Sequence, residues 1–460
     1  MRAPYPGRGV APSLLWPAVG LGLLLGAIFA APRGSHCVEA SLPPCDSIRV
    51  GWWFGLERVR AAPVEGATLI AADSSVPLSA GDSTLFTLCS DSEGEAILAT
   101  CGERQTRGQA FRVAGGPLVL SAVVTGSGKV VRQQLPWPVE VRASKGGLLV
   151  IAQVPLEDYV AGVVAGEASA ASPWALLQAL AIGARGYALA NLAKHGAQHF
   201  DVCTSSHCQN FRPSPPAWAR EAVAATRGLV LTTKGQLVPV HYHTACGGTT
   251  DSASAIWGGP DILGLSGLTD DDSAKPPILT TDDAVAAFLS EAQGYCRASP
   301  YYRWEMTMSK EQLEAALRLG LAAIGSPLSC AGLDDLKVVG RTPGGRATEL
   351  LIVSEAGAAR VTGENIRWVF GGGRIGGSGA LPSRLFVIQR SADGATYTFR
   401  GGGYGHGVGL CLAGASYLAR QGRSAREILS HYYPGADLSP IPSGNQAAAQ
   451  ENETERQGGK

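Results

Sequence analysis

The sequence predicts an α+β fold in which a helical core is flanked by β-rich regions. From Ser47 to about Val154, short β-type runs alternate with Gly, Pro, Ser and Asp turns. Pro155–Lys194 carries apolar residues at helical spacing, and residues 301–400 return to several strands with one helix near Lys310. The 60 glycines and the low charged fraction of 17% suit a compact, loop-rich protein of this class.

These patterns divide the 460 residues into six segments. We expect a signal peptide or anchor (1–36), a β-rich N-terminal region (37–153), a helical core (154–300), a second β-rich region (301–400), a Gly/His loop with C-terminal helices that complete the core (401–439), and a tail (440–460). The tail is expected to be disordered because it is polar.

The first segment has the pattern of an export signal. Arg2 and Arg8 precede a largely apolar run, Ala11–Ala31, that ends in small residues. Cleavage after the last alanines would release the chain, but at about 20 residues the run is also long enough to remain as a transmembrane anchor. Either outcome places the protein in the cell envelope, in the periplasm or on the extracytoplasmic face.

The charge balance excludes one class of partner. Lys+Arg and Asp+Glu each number 38, so no global charge would attract nucleic acid or an anionic membrane surface. We therefore expect no nucleic-acid partner, and membrane contact only through an uncleaved N-terminal segment.

Export also permits disulfides among the ten cysteines. The best pair is Cys89 with Cys101, because an acidic, glycine-containing turn between them would bring two strand ends together. Spacing alone does not fix connectivity, and the weaker alternatives are Cys37–Cys45 and Cys246–Cys296.

The most informative stretch contains two helical patterns on either side of Glu167. The first pattern starts at Leu156 and stops at Gly166-Glu167, so this carboxylate lies at a helix end. Ser172 and Pro173 then predict the N-cap and first position of a second helix. A glutamate at a helix end is usually an ordinary surface residue, but here the second helix carries polar side chains that need a partner. These candidates are Gln178 and Arg185, which share one face, and nearby Tyr187.

The segment HFDVCTSSHCQNF places two thiols and two imidazoles within ten residues. Together they would form a closed tetrahedral zinc site with His199, Cys203, His207 and Cys208 as ligands. The spacing is tighter than in common zinc motifs, and a Cys203–Cys208 disulfide explains the cysteines equally well. His195 is an alternative to His199.

Two further motifs contain histidines. In VPVHYHTACGG, His241 and His243 point to one side of a strand, where they would bind metal, line a sugar groove, or lie on an exposed face. Trp257 is a candidate for stacking on a sugar, although tryptophans more often belong to a core. In FRGGGYGHGVGLC, His406 stands among six glycines in a loop that follows neither the Walker nor the dinucleotide-binding pattern. A phosphate cradle is therefore not expected.

Together these segments resemble the SpoIID/LytB family, over roughly residues 48–438. The similar motifs are RVGWWFGLERV, VPLEDYVAGVVAGEA with the helix that follows it, FDVCTSSHCQNF, AVAATRGLVLTTKGQLVPVHYHTACGGTT, CRASPYYRW, and GYGHGVGLCLAGA through SHYYPG. The resemblance implies lytic transglycosylase activity on peptidoglycan glycan strands whose peptides an amidase has removed. It places the catalytic acid at Glu167 and makes residues 154–300 the helical catalytic core.

The resemblance also implies a structural zinc ion, which favours metal over disulfide for Cys203, His207 and Cys208. It implies a substrate groove between the core and its β-rich flanks, lined by Gln178, Arg185, Tyr187, His243, Trp257, Tyr404 and His406. An alternative function within the family is a non-catalytic peptidoglycan-binding protein that stimulates a cell-wall amidase. The chain departs from the family at Cys411-Leu412, where Ser-Gln is common, and at Gly186, where Thr is common.

Overall fold

The computed structural model describes residues 45–72, 74–91, 94–273, 275–370 and 380–441. The predicted signal segment, Cys37 and the chain from residue 442 onward lie outside the described residues. Helices and strands are mixed throughout, so the predicted α+β class is confirmed.

The N-terminal region forms a twelve-stranded sheet. Its long first strand, Ser47–Pro63, pairs antiparallel with three strands and parallel with the short strand Val202–Cys203. Apolar residues alternate along it and face a core that includes Ile48, Val50 and Val59. The strands are β1 (Ser47–Pro63), β2 (Ala67–Ile70), β3 (Ser75–Leu78), β4 (Thr84–Asp91), β5 (Gly94–Cys101), β6 (Arg104–Gly108), β7 (Ala110–Gly115), β8 (Leu118–Val124), β9 (Val130–Leu135), β10 (Val139–Ser144), β11 (Gly147–Pro155) and β12 (Val202–Cys203).

Helix α1 (Leu156–Glu167) packs against this sheet, and α2 (Trp174–Ala190) and α3 (Ala217–Ala224) pack against α1 and contribute to the same core. Helix α2 is apolar on nearly all sides because it lies between two cores. Leu177 and Leu180 belong to the core shared with the sheet, whereas Ala179 and Ile182 belong to the core of the chain's later half.

The rest of the described chain adds helices, three three-stranded sheets and one two-stranded sheet. Parallel pairing of β15 with β22 sets His243 beside Cys411 and joins two distant motifs. The elements are β13 (Leu229–Thr233), β14 (Gln236–Leu237), β15 (Tyr242–His243), α4 (Ala253–Trp257), α5 (Asp282–Ser290), β16 (Trp304–Ser309), α6 (Lys310–Ala323), β17 (Leu333–Arg341), β18 (Ala347–Ser354), β19 (Gly357–Thr362), α7 (Asn365–Trp368), β20 (Phe386–Arg390), β21 (Thr396–Gly401), β22 (Leu410–Cys411), α8 (Leu412–Arg420), α9 (Ala425–Tyr432) and β23 (Asp437–Pro440).

Two predictions about local structure are wrong. Ser172 does not cap α2: Pro173 occupies the N-cap, and the Ser172 hydroxyl instead accepts a hydrogen bond from the Ser169 N–H at 3.2 Å. Cys89 and Cys101 do not face each other, because the hairpin register sets Cys89 opposite Ala96 and leaves Cys101 five residues further along, roughly 16 Å away. A disulfide requires Cα atoms within about 7 Å.

Two segments differ in extent from their predicted bounds. The strand expected to carry both His241 and His243 is confined to β15, Tyr242–His243. Pro440, predicted to begin the disordered tail, instead ends β23 and pairs with Leu229. Within the described chain, every helix is too short or too polar to meet the criteria for a membrane span.

Candidate active site

Glu167 is the last residue of α1, as the sequence predicts, and its side chain is partly buried. Its Oε1 accepts a hydrogen bond from the Asn210 N–H at 2.9 Å. Burial raises the pKa of this carboxyl above its ordinary value, and hydrogen bonds from Asn210 and Tyr242 only partly oppose the rise. The carboxyl group therefore stays protonated to a higher pH than an exposed glutamate.

The contact between Glu167 and Asn210 depends on glycines in α1. A Cβ at Gly166 would lie 2.2 Å from the Asn210 carbonyl oxygen, and one at Gly162 would lie 2.1 Å from the Phe211 ring. These two glycines are one helical turn apart, so together they clear one face of the helix. The Arg212 N–H then bonds to the Gly162 carbonyl at 3.0 Å, which fixes residues 209–212 against α1.

Three polar side chains form a directed chain of hydrogen bonds that leads toward Glu167. The Tyr159 hydroxyl donates to Gln209 Oε1 at 3.1 Å, and Gln209 Nε2 donates to the Tyr242 hydroxyl oxygen at 2.9 Å. Because that oxygen already accepts, the Tyr242 O–H is free to donate to the Glu167 carboxylate. These bonds hold the Tyr242 hydroxyl in position beside the Glu167 carboxyl group.

A group of aromatic rings surrounds His406, which lies in the Gly/His loop. Its ring is 6.0 Å from His241, 5.4 Å from His243 and 5.2 Å from Trp257, between ring centres. Trp257 remains 40% exposed at the end of α4. The structure thus brings together residues that are separated by more than 140 positions in sequence.

Hydrogen bonds define the tautomers of these histidines. His406 Nδ1 accepts from the Val408 N–H at 3.1 Å, so Nε2 carries the proton and donates to the Tyr242 carbonyl at 2.9 Å. His243 Nδ1 donates to the Val408 carbonyl at 3.1 Å, which leaves Nε2 as a buried acceptor without a partner in the described part of the protein. Burial lowers the pKa of His406 to about 3, so this ring is neutral at physiological pH.

The cluster of possible metal ligands contains His195 rather than His199. Ligand atoms of His195, Cys203, His207 and Cys208 all lie within 4.8 Å of one another. Individual separations are 3.4 Å from His195 Nε2 to Cys208 Sγ and 3.8 Å from His207 Nδ1 to Cys203 Sγ. His199 ends a short 3₁₀ turn with φ of 66° and is exposed, so the prediction of His199 as a ligand is wrong. The stacking of His195 on Phe200, 4.4 Å away, holds the replacement ring in place.

Arg185, predicted to line a groove, is completely buried instead. Its guanidinium makes a bidentate ion pair with Glu157 at 3.0 and 2.6 Å and donates to the Leu229 carbonyl at 2.9 Å. These bonds use three of its five N–H groups to tie α1, α2 and β13 together. Arg185 is therefore a core residue, and its predicted role in the groove is wrong.

The remaining predicted groove residues have different surroundings. Gln178 is partly buried on α2, and Tyr187 is buried with its hydroxyl accepting a hydrogen bond from Lys194 Nζ at 2.9 Å. Tyr187 also packs edge-on against His241, with ring centres 5.9 Å apart. Tyr404 lies against the exposed ring of Tyr301 at 4.5 Å.

Sequence reasoning missed Asn210 and Tyr242, the two residues that contact Glu167. For Tyr242 a signal was present, because strand alternation turns it to the side opposite His241 and His243. At Asn210 the backbone N–H donates one hydrogen bond, which any residue except proline could supply, so only the second bond, from the Asn210 side chain, depends on residue type.

A surface cavity of about 340 Å³ lies away from these residues, between α5, β16, β20 and β21. Its lining includes Arg303, Trp304 and Arg400, and none of the predicted site residues. The candidate acid and the group of histidines lie instead at Glu167 and in the loop around His406.

Comparisons with known proteins match two parts of the chain. A family model described as Stage II sporulation protein (SpoIID) matches residues 144–233, and one described as a domain of unknown function (DUF8618) matches residues 252–409. Stage II sporulation protein D of Bacillus amyloliquefaciens is 27% identical over 329 residues, 66% of this chain and 80% of that protein. Its Bacillus subtilis (strain 168) counterpart is 26% identical over 66% of this chain and 79% of its own length. The amidase enhancer of Bacillus subtilis (strain 168) is 24% identical over 48% of this chain and 32% of its own length.

We predict that Gly166→Ala displaces residues 209–212 and destabilises the protein by about 2 kcal/mol, the usual effect of overpacking. The matched control is Gly183→Ala in α2, whose Cβ would meet a single Val240 methyl at 3.1 Å and no backbone. Its stability should change by less than about 1 kcal/mol. Urea unfolding measures both, and equal losses in the two variants would contradict the close-approach argument.

Proposed function

Since this chain belongs to the SpoIID/LytB family, we propose that it is an exported lytic transglycosylase that acts on bacterial peptidoglycan. Its substrate would be glycan strands from which an amidase has removed the peptides. The supporting observation is Glu167, a partly buried acid with a raised pKa that hydrogen bonds hold at a helix end.

The chemistry requires one carboxyl group with two successive roles. Protonated Glu167 would donate its proton to the glycosidic oxygen between N-acetylmuramic acid and N-acetylglucosamine as that bond breaks. The resulting carboxylate would take a proton from the C6 hydroxyl of the muramic acid, whose oxygen closes a 1,6-anhydro ring. Water is not consumed, and no second carboxylate is needed, in contrast with ordinary two-carboxylate glycosidases.

The aromatic group around His406 supplies contacts suited to a sugar. The exposed face of Trp257 is available for stacking, and His243 Nε2 offers a lone pair to a hydroxyl donor. Tyr404 with its neighbour Tyr301 would extend the groove. Tyr242 connects this group to the acid, because its carbonyl binds His406 while its hydroxyl faces Glu167.

We also propose that His195, Cys203, His207 and Cys208 hold a structural zinc ion. Two sulfurs and two imidazole nitrogens within 4.8 Å fit a tetrahedral ion, whose ligand atoms are about 3.4–3.8 Å apart. Protein side chains would fill all four coordination positions of the ion, so substrate could not bind to it. Cys208 directly precedes Gln209 and Asn210, so fixing it would also fix the backbone that contacts Glu167.

A second candidate function follows from the similarity to the amidase enhancer. In that case the protein would bind peptidoglycan and stimulate a cell-wall amidase without cleaving glycan itself. The two functions differ in whether they require Glu167.

Glu167→Gln should lower formation of 1,6-anhydro products by about 10²–10⁴-fold, because glutamine cannot donate the proton. The measurement is mass spectrometry of amidase-treated peptidoglycan after incubation with purified protein. Glu221→Gln, on the exposed side of α3, is the matched control and should retain activity. Equal product from wild type and Glu167→Gln, or none from wild type, would refute the catalytic proposal, and amidase stimulation retained by Glu167→Gln would favour the second.

Tyr242→Phe should move the alkaline limb of the pH–activity profile to higher pH. Its hydroxyl stabilises the ionised carboxylate, so its loss raises the pKa of Glu167 further and keeps the acid protonated at higher pH. Tyr295→Phe removes a hydroxyl that instead binds Asp272 at 2.6 Å and serves as the control. A shift to lower pH in Tyr242→Phe would contradict the assigned hydrogen bond.

Cys203→Ser should reduce bound zinc by one ion per chain, because one of four ligands is lost. Zinc is measured by inductively coupled plasma mass spectrometry, with Cys89→Ser as a control outside the cluster. Unchanged zinc content, with Cys203 and Cys208 found as a disulfide by peptide mapping, would eliminate the proposed site.

A further inference from the structure

A second group of possible ligands lies behind the His406 loop. Sγ atoms of Cys246, Cys296 and Cys411 and a carboxylate oxygen of Asp270 lie within 4.8 Å of one another. All four residues are buried, with at most 1% of their surface exposed. None belongs to the His195–Cys208 cluster, and the proposed transglycosylase chemistry uses none of them.

Four separate chain segments supply these side chains. Cys246 follows β15, Asp270 lies in the loop after α4, Cys296 is in the 3₁₀ turn Tyr295–Ala298, and Cys411 ends β22 at the N-cap of α8. Cys246 and Cys411 are 165 positions apart, but the Cys246 N–H bonds to Cys411 Sγ at 3.2 Å. A cation at this point would therefore cross-link segments that are distant in sequence.

Hydrogen bonds from neighbouring groups orient three of the four possible ligands: Cys246, Cys411 and Asp270. The Gly248 N–H approaches Cys246 Sγ at 3.3 Å, and the Gly414 N–H approaches Cys411 Sγ at 3.4 Å. Asp270 accepts from the Tyr432 hydroxyl at 2.5 Å and from the Cys296 N–H at 2.9 Å. Outer hydrogen bonds of this kind hold the ligands of protein metal sites in position.

The Asp270 carboxylate packs closely against α8 at Gly414. At Gly414, a Cβ would lie 2.1 Å from the Tyr432 hydroxyl and 2.5 Å from Asp270 Oδ1. Any residue with a side chain at this position would displace the carboxylate. The glycine therefore accommodates a buried acid beside three thiols, an arrangement that apolar packing alone does not require.

A disulfide explains this group less completely than a metal ion does. The Sγ atoms of Cys246 and Cys296 are 3.5 Å apart, which is close to the tetrahedral ligand separation of about 3.8 Å at zinc. A disulfide needs about 2.05 Å, and joining one pair would leave the third thiol and the Asp270 carboxyl outside the bond, although both lie against it. A divalent cation would use all four groups as ligands.

The donor set also identifies the kind of metal. Thiolates select soft or borderline ions, and a tetrahedral set of three sulfurs and one oxygen suits zinc. A polynuclear iron–sulfur cluster distributes its ligands around several metal ions, whereas atoms within 4.8 Å of one another surround a single ion.

We propose that Cys246, Asp270, Cys296 and Cys411 form a second, closed zinc site that fastens the His406 loop to the core. Binding would release the thiol protons to solvent as the three sulfurs become thiolates. The pairing of His243 with Cys411 places the site next to β15. The cysteine at 411, which departs from the common family residue, thereby acquires a specific role. This proposal does not depend on transglycosylase activity.

The test is the zinc content of the full exported chain, purified without an affinity tag and under reducing conditions, then equilibrated with Zn²⁺ and freed of loosely bound ions. Wild type should hold two ions per chain, Cys411→Ser one, Cys203→Ser one, and the double variant none. Cys89→Ser is the control and should hold two. One ion in wild type that persists in Cys411→Ser would overturn the second site, and so would a Cys246–Cys296 disulfide mapped in the exported protein.

Cobalt substitution keeps the proposal testable if Cys411→Ser does not fold. Co²⁺ titrated into metal-free wild type should bind two equivalents, and its sulfur-to-cobalt charge-transfer absorption should report five thiolates, two from the first cluster and three from the second. Saturation at one equivalent with two thiolates would overturn the proposal. If only the His195–Cys208 cluster failed to bind, the number of Co²⁺ equivalents and the number of thiolates would both fall, but the second site would still be detected. The two zinc proposals can therefore be refuted independently.

Discussion

The close approach of residues 209–212 to α1 is the constraint on which the candidate site depends. It exists because Gly166 presents no side chain toward the Asn210 carbonyl. Once the two backbones meet, three consecutive residues acquire different tasks: Cys208 joins the possible metal ligands, Gln209 binds Tyr242, and Asn210 binds Glu167. A substitution at Gly166 would therefore disturb both the acid and the Cys/His cluster.

Strand β15 connects this arrangement to the second half of the chain. Alternation sends the side chain of Tyr242 toward Glu167 and sends His243 toward the His406 loop. Its pairing with β22 then places Cys411 beside His243. The two residues of β15 thus link the acid, the histidine group and the buried Cys/Asp cluster, although the residues of these three groups come from distant parts of the sequence.

The sequence predicts local features of the site well and long-range ones poorly. The end of α1 at Glu167 follows from apolar periodicity, which depends only on neighbouring residues. The groove position predicted for Arg185 is wrong because its partner, Glu157, lies 28 positions away on another helix. A polar residue on an apolar helix indicates that a partner exists, but periodicity does not identify that partner. His195 joins the group of possible metal ligands and His199 does not. The backbone at His199 is left-handed, a feature that residue spacing does not encode.

The electrostatics of the site favour a mechanism with one ionising group. Burial and neighbouring positive charge keep His406 neutral, so it donates a hydrogen bond and does not exchange protons near neutral pH. For Glu167, burial is the largest influence on the pKa, and the opposing influences are hydrogen bonds from Asn210 and Tyr242. Such an environment retains a proton until the leaving oxygen develops negative charge, and then stabilises the carboxylate through two donors already in position. The same two hydrogen bonds would therefore serve both halves of the proposed reaction, the donation to the glycosidic oxygen and the later removal of the C6 hydroxyl proton.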